Sequence, residues 1–183
     1  MTGQVDGAPP RTRLVSLADV PVLAELVRTN RAFMAPYEPP RSEEYFTEAG
    51  QRALVRGLLT QYAQDRTVPH VVLDEDGAVV GRITLNEVVR GPFQSCNLGY
   101  WVSEQAGGRG LATAAVRHMT QQVAFADLGL HRVQAGTLVD NLRSQRVLEK
   151  NGFVRFGLAQ RYLRIAGQWR DHVLFQLLNP VEV

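Results

Sequence analysis

The chain of 183 residues carries 20 basic and 18 acidic side chains, a formal net charge of +2 that calls for no polyanionic partner and sets aside direct nucleic-acid binding. Its length suits one domain with a sizeable core, and no apolar run approaches the roughly 20 residues that cross a bilayer. A single cysteine, Cys96, excludes an intrachain disulfide and a cysteine zinc site, so we expect no metal and a reducing, cytoplasmic setting.

Met1–Pro10 is polar with Gly and Pro, and reads as a loose tail ahead of one domain spanning 11–183. Arg13 to Val15 can start a strand. Ser16 then stands before a helix with an acid, Asp19, in its first turn and Val22, Leu23, Leu26 and Val27 as its apolar face. The stretch from Asn30 to Gln51 is built differently. Pro36, Pro39 and Pro40 forbid regular structure, while Phe33, Met34 and Tyr37 are apolar groups set in a loop, suited either to packing back on the body or to forming a binding wall. A second helix is expected from about Thr47 to Asp65, with Leu54, Val55, Leu58, Leu59 and Tyr62 inward.

Val71–Leu73 and Val79–Leu85 read as strands around the turn Asp74–Gly77, and Gly91-Pro92 separates them from a strand carrying Cys96, Leu98, Tyr100 and Val102 at period two. Glycines then break the alternation. Leu111, Ala114, Ala115, Met119 and Val123 recur at helical spacing immediately afterwards, so Gly107, Gly108 and Gly110 sit where a helix begins. Such a junction is an anion site, because the first helical turn presents unpaired N–H groups and glycine lets a phosphate approach the backbone. The rest of the chain reads as a strand at Arg132–Thr137, a short helix at Asn141–Lys150 stopped by Asn151-Gly152, and two closing strands, Phe153–Arg164 and His172–Leu178.

Three phosphate-loop patterns compete for the glycines. A Walker loop ends in Gly-Lys-Ser/Thr, and the only lysine here is Lys150. A dinucleotide fingerprint needs a third glycine where Thr113 stands. The third pattern, Q-x-x-G-x-G, fits as Gln105-Ala106-Gly107-Gly108-Arg109-Gly110 and resembles the pyrophosphate loop of the GNAT N-acetyltransferases; a plain glycine-capped turn is the alternative. Asn141-Leu142-Arg143-Ser144 with Asn151-Gly152-Phe153 resembles a second GNAT motif. Asn30-Arg31 with Pro36-Tyr37-Glu38-Pro39, Val88 to Phe93 with Leu98-Gly99-Tyr100, and Ala166 to His172 are similar to the RimJ/RimL-type ribosomal-protein alanine N-acetyltransferases, from about Arg13 to Leu178.

The resemblance implies a mixed α/β (α+β) fold, a mostly antiparallel twisted sheet splayed in the middle with helices on both faces. It implies acetyl-CoA as cosubstrate, held by Tyr100, Trp101, Val102, Gln105, Gly107, Gly108, Arg109, Gly110, Leu111, Ala112, Thr113, Asn141 and Ser144. Ser144 takes the position of the general acid for the leaving thiolate, although helix capping equally suits both Asn141 and Ser144. Asn30, Phe33, Met34 and Tyr37 fall beside the acceptor groove. Where RimL carries a glutamate base this chain has Leu163, which leaves Glu87 and Tyr162 as candidates for the base beside an ordinary surface or packing role. The implied acceptor is the α-amine of a protein N-terminus, foremost an alanine-starting ribosomal protein; a small amine, or coenzyme binding without turnover, stay open. Homodimers are common among such relatives and are expected here on that ground.

Overall fold

The computed structural model describes residues 11–181; the tail read at Met1–Pro10 lies outside them. Seven strands form one sheet in the order β1-β2-β3-β4-β5-β7-β6. β1 (Thr12–Leu14), β2 (Val68–Leu73), β3 (Val79–Val89) and β4 (Ser95–Val102) make an antiparallel meander. β6 (Val154–Ile165) and β7 (Gln168–Leu178) form a long hairpin, and β7 pairs antiparallel with β5 (Arg132–Leu138). The single parallel contact joins β4 to β5, and it covers only Ser95–Asn97 against Arg132–Gln134. Beyond Asn97 the two strands part, so the sheet is splayed in the middle and the β5-facing polar groups of Leu98–Val102 have no strand partner.

Neighbouring residues of one strand feed two separate cores, as the period of two requires. Val72, Ile83, Leu85, Cys96 and Leu98 pack with α4 (Leu111–His118), whereas Val71 packs with Val15 just past β1, with Val20 and Leu23 of α1 (Val20–Thr29) and with Val55 of α3 (Glu48–Tyr62). Helices therefore cover both faces. Burial leaves Cys96 an inert thiol, with its pKa pushed up to about 12. Among the described residues no helix is long and apolar enough to cross a membrane.

Several elements depart from the sequence reading. α1 buries Val20, Leu23, Ala24 and Val27, a stripe that leaves Val22 on its exposed flank, and Tyr62, expected inward, lies exposed at the end of α3. The proline-rich stretch contains a short helix, α2 (Arg31–Met34), and a 3-10 turn at Glu43–Phe46 before Thr47 caps α3 by accepting from the Gly50 N–H at 3.1 Å. β2 starts at Val68, with Pro69 inside it. That proline sits where the β1 pairing ends: its carbonyl still accepts the Val15 N–H at 3.0 Å, and its missing N–H falls past the last ladder pair, Leu14 with His70. The helix after the glycines changes from α to π at Met119, continuing to Asp127; at that junction the Thr120 hydroxyl takes the carbonyls of Val116 and Arg117, acceptors the α ladder would otherwise use.

The N-terminal corner depends on one buried acid. Asp19 accepts two guanidinium bonds from Arg13, both 2.7 Å, and the Ser16 N–H at 2.8 Å. The Arg13 bonds outweigh burial and hold the Asp19 carboxyl below its ordinary 3.8. A depressed carboxyl stabilises the fold above its unfolded pKa and loses that contribution as pH falls through the folded one. Asp19→Asn is thus expected to cost ~1–3 kcal/mol at pH 7. Thermal melts of variant and wild type should converge as pH drops below 3.8; a gap of constant size would show that the charge contributes nothing.

Candidate active site

Where β4 and β5 part, a cleft of about 1060 Å³ runs through the sheet. One end is built by the glycine turn and α4. Gly108 and Gly110 hold φ of +76° and +79°, and the left-handed Gly110 caps α4, leaving the N–H groups of Leu111, Ala112 and Thr113 directed outward without helical acceptors. All these residues except Arg109 and Gln105 line the cleft: Arg109 turns away to an ion pair with Glu75, and Gln105 is exposed. Opposite them α5 (Leu142–Lys150) sends Arg143, Arg146 and Lys150 to the same cleft, one helical stripe of three cations. This end fits a polyphosphate: a helix N-terminus, glycines without Cβ atoms, and a cationic wall.

The middle of the cleft is the splay itself, with a second cavity of about 170 Å³ reaching between β4 and β5. Tyr37, Gly99, Tyr100, Asn141 and Ser144 line both spaces. Asn141 is the N-cap of α5, its Oδ1 accepting the Ser144 N–H at 3.2 Å, so Ser144 sits inside the first turn. The Ser144 Oγ lies 2.8 Å from the Tyr100 hydroxyl, which also reaches the Ser144 carbonyl at 3.2 Å. Burial pushes the Tyr100 phenol up to about 12, against a smaller opposing effect of the Ser144 bond. Tyr100 is therefore a neutral donor beside Ser144, a pairing across 44 residues that no local pattern announces.

At the far end the proline-rich stretch forms the wall. Phe33, Met34 and Tyr37 face the cleft, and Glu38, Arg41, Arg82 and Thr84 join them. Asn30 does not face it. Its side chain is buried, accepting the Glu104 N–H at 2.8 Å and donating to the Leu26 carbonyl at 2.9 Å, which pins the α1–α2 corner to the turn after β4.

Neither residue read as a base lines the two cavities. Glu87 is exposed at a β3 bulge with φ of +51° and accepts from Asn97 at 2.6 Å; Tyr162 is half exposed on β6, its ring edge-on to His172 at 5.6 Å. A histidine does line the splay: His172 of β7, buried, with Nδ1 3.1 Å from the Arg170 carbonyl. That bond places the proton on Nδ1 and leaves Nε2 as the basic nitrogen. Sequence reasoning missed it because its place depends on the β5–β7 register, Leu138 against His172. The cationic stripe of α5 was readable from its i, i+3, i+7 spacing. Among the described residues no cluster of metal-ligating side chains occurs.

A family model described as an acetyltransferase (GNAT) domain matches residues 11–154. The chain belongs to the GNAT acetyltransferases. Among its relatives, the [ribosomal protein uS5]-alanine N-acetyltransferase of Escherichia coli is 35% identical over 176 residues, 92% of this chain and 87% of that one. A probable N-acetyltransferase, YjcK, of Bacillus subtilis is 34% identical over 152 residues, 82% of this chain and 83% of its own length. Mycobacterium smegmatis RimJ, solved in complex with CoA-disulfide, superposes with a TM-score of 0.87 at 30% identity, covering 91% of this chain and 80% of that one. The phosphate-fitted end and the aromatic wall are opposite ends of the one cleft that the splay opens.

Proposed function

We propose that this enzyme transfers the acetyl group of acetyl-CoA to the α-amine of a protein N-terminus, an alanine-starting ribosomal protein being the leading acceptor. The observation that carries the reading is the continuity of the cleft: it runs from the α4 N-terminus through the splay at Ser144 to the wall of Phe33, Met34 and Tyr37, so a thioester held at one end meets an amine entering at the other. The 35% identity to an enzyme named for ribosomal protein uS5 alanine supports the choice of acceptor.

Acetyl-CoA supplies an activated thioester, and the protein's task is to place it and manage two protons. The N–H groups of Leu111 to Thr113 and the α5 cations hold phosphates, and the unpaired N–H groups of β4 past Asn97 receive the thioester oxygen. The α-amine, with a pKa of about 7.7–8.0 against about 10.4 for a lysine side chain, is already partly nucleophilic at neutral pH, so a weak base or water is enough. Ser144, backed by Tyr100, donates to the departing thiolate.

The test is thiol release from acetyl-CoA with an alanine-starting peptide, its N-terminally blocked counterpart, and a panel of small amines. Turnover with the free peptide alone is expected. Turnover with small amines alone would overturn the protein acceptor and leave the acetyltransferase chemistry standing.

A further inference from the structure

We propose that Arg82 forms a carboxylate-binding subsite on the acceptor side of the cleft, taking an acidic side chain at the second or third residue of the acceptor; this rests on the reading of that side as the acceptor groove. Arg82 lies on β3 with Thr84 and Asn86 on the same face, and all three line the cleft. Its cross-strand partner is Trp101. Both side chains hold a buried donor with nothing to bond: Arg82 Nη1 and Trp101 Nε1.

Two unpartnered donors carried by cross-strand neighbours, one of them cationic, are the makings of an anion seat. Among the described residues Arg82 makes no ion pair. Glu38, whose charge acts on it, is bonded to Arg41 at 3.3 Å, and Arg41 itself lies over the Tyr45 ring at 4.6 Å. Gln51 Oε1 is also buried without a partner, but a neutral amide cannot balance a guanidinium. Burial pulls the Arg82 pKa down against smaller favourable effects of Tyr45 and Glu38, and a guanidinium stays charged even so. A buried charge without a counter-ion is costly to hold, which gives a ligand that neutralises it a strong advantage.

The chemistry selects a carboxylate. A planar guanidinium fork matches it bidentately, whereas a phosphate would bring a second negative charge toward Glu38 and Glu104 in the same wall. The coenzyme's phosphates have their own cations at the opposite end. Distance sets the position: Thr84 pairs with Gly99 at the splay, and Arg82 is two residues further along β3, roughly 7 Å. An extended acceptor covers that in about two residues from its amine.

The experiment compares steady-state kinetics of wild type, Arg82→Gln and Arg82→Lys on paired alanine-starting peptides that differ only as Asp or Asn at positions two and three. Wild type is expected to prefer the acidic member by ~10-fold or more, expressed in KM, with the ratio near one in Arg82→Gln and partly restored in Arg82→Lys. A ratio near one in wild type overturns the subsite. So does a ratio that survives Arg82→Gln, including the case in which both peptides slow equally, since a merely structural arginine would act that way. A parallel pair, 6-aminohexanoate against its amide, which sets a carboxylate or a neutral group at that reach from an amine, separates the source of the carboxylate: an Arg82-dependent preference for the acid, with no peptide turnover, would keep the subsite and remove the protein acceptor.

Discussion

Gly108→Val and Gly110→Val are expected to bring acetyl-CoA binding below detection while the protein still melts cooperatively. Both glycines have φ near +80°, and a Cβ built on either meets no protein atom within 4 Å, so the space beside them is open to a ligand. A side chain there closes that space and pulls the loop toward negative φ, turning the α4 N–H groups away from the phosphate. The backbone strain costs about 1–2 kcal/mol, which lowers the melting temperature without unfolding the chain. Gly129→Val is the control. It carries φ of +61° and the same open surroundings but does not line the cleft, so it should show the strain and keep coenzyme affinity. Isothermal titration on the three variants decides the matter: unchanged affinity in folded Gly108→Val or Gly110→Val removes the phosphate role from this turn.

What the sequence disclosed and what it concealed divide along the range of the interactions. The glycine turn, the Asn141 cap and the Cys96–Tyr100 alternation are set by residues within a few positions of one another, and the structure has them where the pattern puts them. The aromatic residues of the proline-rich stretch were legible as a packed surface or a binding wall without a choice between them, because a loop rarely carries Phe33, Met34 and Tyr37 without a surface to cover. That Glu87 and Tyr162 fall outside the lining of the two cavities has the opposite reason: each stands beside a strand irregularity, the shift between Asn86 and Val89 or that between Ala159 and Leu163, which decides where its side chain goes and leaves no trace in period-two counting. Asn30 shows a further limit. Its type and position suit a binding wall, yet its amide is consumed by two backbone bonds, one to a residue 74 positions away. Arg82 was unreadable on the same grounds, since a lone arginine in a strand becomes informative only when its neighbours fail to pair with it.

Ser144→Ala tests the chemistry most directly. If the hydroxyl donates a proton to the departing thiolate, the variant should lose roughly 10²-fold in kcat with coenzyme affinity nearly intact. A purely capping role would instead cost about 1 kcal/mol of stability and spare turnover. The geometry favours the first outcome, because the cap is already made by Asn141, whose Oδ1 accepts the Ser144 N–H, leaving the Ser144 hydroxyl free of helix duties. Its one side-chain partner is Tyr100 at 2.8 Å. The Tyr100 proton goes either to the Ser144 carbonyl or to its Oγ, and only the second arrangement releases the serine proton toward the cleft. Tyr100→Phe removes that choice. It is expected to lower kcat by less than Ser144→Ala, and the double variant to lose about as much as Ser144→Ala alone, since two groups on one proton path do not add. Single-turnover thiol release and thermal midpoints on the three variants separate the cases; a Ser144→Ala protein that melts earlier and turns over normally would make this serine a structural residue and leave the thiolate to be protonated by water.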